Sequence, residues 1–202
     1  MFRATINCVT SLLRLALAGA VCVVLSPAAF AGVTSSTDQR SFVVEGTTAV
    51  GLVRFMNGHA LEGDHGHAYA SIHPDYQLSM TTHDSGEMCR PALVDVHVDF
   101  DLTLPVAADA DGMSRNTRSA WNNFAAFARV HENHHKMSYL GCASAFVVQA
   151  RQQTAPSCDE VSMEVRQMLY DMKRDCEVKQ RPFDQSQSRI LRNLRLFALA
   201  RQ

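Results

Sequence analysis

The sequence predicts an α+β domain in which a small antiparallel sheet is followed by a long helix packed on a second, antiparallel helix. Residues 94–104 alternate between apolar and polar side chains, which is typical of a strand with one buried face. Residues 116–153 and 158–179 repeat apolar side chains at three- and four-residue steps, which is typical of amphipathic helices. Because the strands precede the helices instead of alternating with them, we expect separate layers of sheet and helix.

The first 31 residues are predicted to be a secretory signal peptide. Their only charges are Arg3 and Arg14, residues 15–25 are apolar, and Ala29-Phe30-Ala31 offers the small residues that signal peptidase prefers. The apolar run is too short for a stable membrane span, so we expect a secreted or periplasmic protein without an anchor. The remaining chain has seventeen basic and twenty acidic residues, and this net charge of −3 favours no nucleic-acid partner.

A strand and a short helix open the predicted domain, which we place at residues 32–184. Residues 41–46 form a short extended run. The pair Thr47-Thr48 then caps a helix that ends at Gly58 and buries Val50, Val53 and Met56. This segment therefore predicts a β-α unit.

The other predicted strands lie between this unit and the long helix. Residues 68–82 alternate in part and are broken at Pro74, so they predict two strands or one bent strand. The alternation at 94–104 is the clearest, and it ends before Pro105. We interpret its polar face, with His97 between aspartates, as the solvent side of the sheet and not as a cation site.

The long helix carries the most informative motif, since residues 131–135 read His-Glu-Asn-His-His and fit the pattern H-E-x-x-H. His131 and His135 are one helical turn apart, so both imidazoles can bind one zinc ion while Glu132 acts on its water. Trp121 and Phe124 continue the same stripe, which indicates that the ligands face inward. We predict Zn2+ at this site and Glu132 as the catalytic residue. In a chain with nine histidines the motif can also be accidental.

A catalytic zinc ion needs a third protein ligand, and the sequence leaves four candidates open. Glu160 and Glu164 lie early in the second helix, and Asp184 follows it. His67 belongs to a histidine-rich stretch, residues 59–83, which also includes His65. An exposed polar loop explains that stretch nearly as well as metal binding does.

The cysteines predict disulfides in an oxidising compartment, once Cys8 and Cys22 have left with the signal peptide. A continuous helix from 158 to 176 would separate its terminal cysteines by about 27 Å, at about 1.5 Å per residue, which excludes that pair. Of the remaining pairings we favour Cys89–Cys158 with Cys142–Cys176. A competing interpretation makes Cys142 a zinc ligand, but an oxidising compartment disfavours it.

A last helix is predicted after Pro182, at residues 185–199 of a C-terminal segment that spans 185–202. Its apolar positions, which include Ile190 and Phe197, face several arginines. A basic amphipathic helix can lie on a membrane, but docking on the parent domain is the commoner use, and we expect docking.

These elements, in this order, resemble the predicted secreted zinc-dependent proteases of bacteria that are grouped as domain of unknown function number 922. The resemblance covers about residues 41–184. Its features are the strand Phe42-Val43-Val44-Glu45-Gly46, Cys89 before a valine-rich strand that ends in Leu-Pro, Trp121, the H-E-x-x-H motif and Cys158. It implies a zincin-like metallopeptidase fold and a peptide or protein substrate.

The closing segment of that family places a histidine five residues after an aspartate, and we infer from the resemblance that this histidine is the third zinc ligand. Here the aspartate is retained as Asp184, while Arg189 stands in the place of the histidine. We therefore expect a zinc-dependent peptidase that hydrolyses peptide bonds through a zinc-activated water. The alternative is a non-catalytic metal-binding or interaction module on a degenerate protease scaffold.

Overall fold

A three-stranded sheet and a pair of long antiparallel helices make up most of the fold, which is α+β as predicted. The computed structural model describes residues 32–63 and 66–202, so the predicted signal peptide and His65 lie outside the described residues. Within these ranges no helix has the length and apolarity needed to cross a membrane. In chain order the elements are β1 (Val33–Val44), α1 (Ala49–Gly58), β2 (Leu61–Gly63), β3 (Gly66–Ala68), β4 (Ser71–Asp84), β5 (Cys89–Ala107), α2 (Arg115–Ala150), α3 (Cys158–Asn193) and α4 (Arg195–Leu199).

The main sheet is mixed, with β5 in its centre. β4 pairs with β5 antiparallel, as predicted, whereas β1 pairs with β5 parallel, which the sequence did not predict. Parallel strands need a long connection, and here α1, the hairpin β2–β3 and β4 lie between β1 and β5 in the chain. β1 also begins at Val33, well before the predicted start at residue 41. Its first half is polar and exposed on an edge, so it carries no hydrophobic pattern.

The alternation along β5 produces the main core, as predicted. Val94, Val96, Val98 and Phe100 are each at most 1% exposed and pack against residues of α2 and α3. The opposite face of β5 is exposed to solvent, and on that face Asp99 accepts hydrogen bonds from Ser36 and Gln77. The strand continues through Pro105 to Ala107, because a proline removes only its own N–H from the ladder.

The helices begin where polar side chains cap them. Thr48 caps α1, Ser114 caps α2, and Ser157 caps α3 in a capping box with Glu160. The predicted stripe of α1 is shifted, since Leu52 is buried with Met56 while Val50 is exposed.

The helix α3 is continuous through Pro182, so the predicted end at residue 179 and the separate helix from 185 are wrong. A proline inside a helix removes one hydrogen bond and costs about 3 kcal/mol. Side chains on both sides of it, Gln180 and Asp184, bond to α2, and these contacts offset that cost. The chain then turns into α4, where Leu196 and Phe197 bury against α1 and α2. The C-terminal end therefore docks on the domain, as expected.

Two disulfides are present among the described residues, in the pairing that the sequence favours. Cys89 at the start of β5 is bonded to Cys158 at the start of α3, which joins the sheet to the helices. Cys142 of α2 is bonded to Cys176 of α3. The second bond fixes the last quarter of α2 to the middle of α3.

Candidate metal centre

Three ligand atoms from α2 and α3 converge on one point. The Nε2 atoms of His131 and His135 lie 3.0 Å apart. The Oδ1 atom of Asp184 lies 2.8 Å from Nε2 of His135 and 3.1 Å from Nε2 of His131. The three residues form a cluster that could hold a metal ion.

The antiparallel pairing of the two helices explains why these residues meet. The turn between α2 and α3 spans residues 151–157, so positions further back on α2 face positions further along α3. His135 and Asp184 each lie about two helical turns from the Cys142–Cys176 disulfide, on opposite sides of the interface. The pairing therefore fixes the distance between the motif and Asp184.

The donor set fits a divalent cation with one open position. Zinc–ligand bonds of about 2.0–2.1 Å in a tetrahedron put neighbouring ligand atoms about 3.3 Å apart. The observed separations of 2.8, 3.0 and 3.1 Å are close to that value. Three protein donors are the number that catalytic zinc sites use, whereas structural sites use four.

Glu132 is buried beside the ligands, at 5% exposure. Burial raises the pKa of its carboxyl to about 6, although the nearby imidazoles of His131 and His135 oppose the rise. The side chain lines the same cavity as the three ligand residues. A carboxyl group with this pKa can accept and release a proton near neutral pH.

Gln180 orients His135. Its amide nitrogen donates hydrogen bonds to the carbonyl oxygen of Cys176 at 2.9 Å and to the hydroxyl of Ser138 at 3.0 Å. Its oxygen therefore faces Nδ1 of His135 at 3.0 Å and accepts a hydrogen bond from the N–H there. In the metal-free protein Nε2 of His135 hydrogen-bonds to Asp184, and when a cation replaces that proton, the contact with Gln180 would leave Nε2 as the ligand atom. The sequence analysis missed Gln180, and the available signal is its position four residues before Asp184, on the same helix face.

The charges of the cluster depend on these contacts. Burial lowers the pKa of His135, but the hydrogen bonds with Asp184 and Gln180 outweigh it and raise the pKa above its ordinary value. Burial by itself would raise the pKa of Asp184. Hydrogen bonds from both histidines outweigh this effect and hold the pKa of Asp184 far below its ordinary value. Asp184 is therefore ionised. In the metal-free protein a proton between the histidine nitrogens and Asp184 occupies the position that a cation would take, so protons and the cation compete for the site.

Phe183 packs on the motif from the solvent side. Its ring stacks on His134 with 3.7 Å between centroids and on His131 with 4.9 Å. His134 is exposed and points away from the cluster, as expected for the residue between the ligands. The stacking restricts the ring of His131, whose buried Nδ1 has no hydrogen-bond partner among the described residues.

The remaining sequence candidates lie elsewhere or at the edge of the site. Glu160 and Glu164 are exposed near the start of α3, about 36 and 30 Å along the helix from Asp184, at about 1.5 Å per residue. His67 lines the cavity but does not belong to the cluster. Arg189 is exposed on α3 and does not belong to the cluster, whereas Asp184 does.

A cavity of about 680 Å³ opens beside the cluster. One wall is the chain from His67 to His73, at the end of the hairpin and the start of β4. The other walls are one stripe of α2, from Phe124 to Tyr139, and one stripe of α3, from Gln180 to Leu191. A cavity of this size can hold a short peptide segment or a small molecule next to the cluster.

The comparisons with known proteins identify a family. No curated protein and no solved structure matches the chain. The family model described as "Bacterial protein of unknown function (DUF922)" matches residues 39–189, which contain all three residues of the cluster, Glu132 and both disulfides. Because this match covers most of the chain, the protein belongs to the DUF922 family of bacterial proteins.

Proposed function

We propose that this protein is a secreted or periplasmic zinc-dependent peptidase that hydrolyses peptide bonds with a zinc-activated water. The observation that carries the proposal is the convergence of two histidines and Asp184 beside the buried carboxyl of Glu132. The two disulfides support an oxidising compartment, where such bonds persist. A zincin-like architecture is part of the proposal.

The side chains of the site divide the chemistry between them. His131, His135 and Asp184 would hold the ion, which when bound would acidify a water molecule and polarise the carbonyl of the scissile bond. Glu132 accepts the proton of the attacking water and passes it to the leaving amine nitrogen. Gln180 keeps the proton of His135 on Nδ1, so that Nε2 remains a ligand.

Zinc is proposed from the chemistry of the site as a whole. Two imidazoles and one carboxylate also bind iron(II) in oxygenases, so the ligands by themselves do not select one metal. Glu132 favours hydrolysis, since a buried carboxyl next to the open position serves proton transfer from water. The pattern H-E-x-x-H on a helix joins these two features.

Asp184 also weakens the alternative of a degenerate, non-catalytic module. The motive for that alternative was the missing histidine at position 189 and the histidine-rich stretch. Asp184 lies within 3.1 Å of both imidazoles, so it could supply the third donor in place of a histidine at position 189. His67 and His73 belong to that stretch, and both line the cavity beside the cluster.

We further propose that the substrate binds in an extended conformation beside the start of β4. β4 is an edge strand of the main sheet, and its first residues, Ser71 to His73, line the cavity. Peptides commonly bind along such edges, because backbone groups there can pair with an added strand.

The Glu132→Gln variant tests this function. Residues 32–202 of wild type and variant, each loaded with zinc, are incubated with a mixture of unfolded protein substrates, and new amino termini are counted by mass spectrometry. We expect cleavage by the wild type, at least about a 100-fold lower rate in the variant, and equal zinc content. An equal rate in the variant, or no cleavage by zinc-loaded wild type, contradicts the proposal.

A further inference from the structure

The cavity beside the candidate metal cluster runs along α2 from Phe124 to Tyr139. At the Tyr139 end its lining includes the buried side chains of Ile72, Tyr139 and Gln180, which are 4%, 2% and 2% exposed. Toward the start of α2 it passes Ala128 and reaches Phe124, one and two turns before the motif. We call this part of the cavity the apolar end.

Among the residues that the structure describes, those that line the apolar end carry no charged side chain. Aromatic rings form its walls, and small residues leave the space between them open. Tyr69 turns its hydroxyl away to donate a hydrogen bond to Asn57 at 2.5 Å, so its ring is left for apolar contact. The six residues that line it are Tyr69, Ala70, Phe124, Phe127, Ala128 and Leu191.

The aromatic walls are held in place from behind. The ring of Tyr69 packs edge-on to Phe124 at 6.1 Å and stacks on Phe197 of α4 at 5.8 Å. Phe124 is 1% exposed, and its ring also contacts that of Trp121 at 5.4 Å. The rings therefore form a wall that is already fixed by its own packing, and binding a side chain against this wall needs little reordering of the protein, which favours affinity.

The position of Ala128 relates this space to the reacting atoms. Ala128 precedes Glu132 by one helical turn, about 6 Å along the axis. A side chain of the substrate residue next to the scissile bond spans that distance. Ala128 is 6% exposed and packs on Ala70 and Leu104, so the floor of the apolar end is part of the core.

We propose that the apolar end binds a large apolar side chain next to the scissile bond, so that the enzyme selects peptides with an aromatic or leucine-like residue there. The inference rests on the proposed function, because it names the substrate class of that same site. Burial of a Leu or Phe side chain corresponds to about a 10- to 100-fold gain in affinity.

Small hydroxamates test the pocket without requiring catalysis. The Glu132→Gln variant, loaded with zinc, is titrated calorimetrically with acetohydroxamate, 3-phenylpropanohydroxamate and the monohydroxamate of succinate. We expect the phenyl compound to bind about 10- to 100-fold more tightly than acetohydroxamate, and the acidic compound to gain nothing. The proposal is overturned if the phenyl compound and acetohydroxamate bind equally, if the acidic compound is preferred, or if none of the three compounds binds.

Two further substitutions in the same background locate the binding. Ala128→Leu fills the floor and is expected to reduce the advantage of the phenyl compound to less than about threefold, with acetohydroxamate affinity unchanged. Because Ala128 lies in the core, Ser188→Phe at the exposed rim of the cavity is a second test, with the same loss expected. Ser186→Phe is its matched control, since Ser186 is exposed on the same helix outside the cavity lining. An unchanged phenyl preference in both Ala128→Leu and Ser188→Phe overturns the proposal.

These outcomes separate the pocket from the proposed function. Hydroxamate selectivity is measured on a variant that is not expected to hydrolyse peptides. A selective pocket in a protein whose wild type cleaves nothing would count against the peptidase only. Robust cleavage without selectivity would count against the pocket only.

Discussion

His135 and Asp184 lie 2.8 Å apart across the interface of α2 and α3, although 49 residues separate them in the sequence. The contact unites the motif on one helix with a carboxylate on another. Any change that moves the two helices relative to each other therefore changes the candidate metal site.

Asp184→Asn is expected to weaken zinc binding at least about 100-fold. The amide has the size of the carboxylate but no charge, so it is a poorer ligand, and loss of a ligand costs more than loss of an outer contact, which costs about 10- to 100-fold. Competition with a chromophoric chelator measures the affinity. Asp175→Asn, an exposed aspartate on the same helix, is the control and should leave it unchanged. Equal affinities for both variants would show that Asp184 is not a ligand.

Gln180→Leu is expected to lower zinc affinity about 10- to 100-fold, because Nδ1 of His135 then loses the acceptor that fixes its proton. Gln180→Glu keeps an acceptor at that position and should recover most of the affinity. The thermal midpoint is measured alongside, so that a general loss of stability is distinguished from a loss of binding. A zinc affinity of Gln180→Leu equal to that of the wild type would contradict the role of Gln180 in orienting His135.

Glu132→Gln is expected to stabilise the metal-free protein at pH 8. Burial raises the pKa of Glu132 from 4.5 to about 6, so folding favours its protonated form. Its favourable contribution is complete below about pH 4.5 and is lost as the pH rises through about 6. At about 1.4 kcal/mol per pKa unit, the shift amounts to about 2 kcal/mol. Glutamine resembles the protonated form at every pH.

Urea unfolding in the presence of a chelator measures this difference. The variant should be more stable than wild type by up to about 2 kcal/mol at pH 8, with the gap closing toward pH 4.5. A constant gap across this range would mean that the carboxyl of Glu132 does not titrate as its burial implies.

The two disulfides are expected to differ in their effect on the metal. Each closes a loop, of 34 and 69 residues, so removing either should cost about 3 to 5 kcal/mol of stability. Only Cys142–Cys176 joins the helices beside the ligands, and the carbonyl of Cys176 also holds Gln180. The pair Cys142→Ala/Cys176→Ala should therefore lose zinc affinity, while Cys89→Ala/Cys158→Ala should keep it. Equal losses of affinity in both double variants would contradict this coupling.

Patterns within one element were readable from the sequence. The alternation from Val94 to Leu104 predicted the core strand, and the helical spacing predicted that His131 and His135 share a face. Both inferences use a period of two or 3.6 residues, which local sequence encodes directly. The polar half of β1 has no such pattern, since it lies on an exposed edge.

Relations between elements were only partly readable. Pro182 predicted the end of a helix, which placed Asp184 in a loop among four candidate ligands. The continuous helix places it opposite His135, a register that depends on side-chain packing between two helices. Gln180 was missed for the same reason, because a lone glutamine has no local signature of a role that its neighbours across the interface define.

The metal content of the protein tests the central claim most directly. Residues 32–202 are purified without added metal, incubated with zinc, freed of excess and analysed by elemental analysis, beside a His131→Ala variant. We predict about one zinc ion per chain in the wild type and a large loss in the variant, since three donors converge on one point. Absence of zinc from the wild type after incubation, or equal zinc in both proteins, would contradict the account.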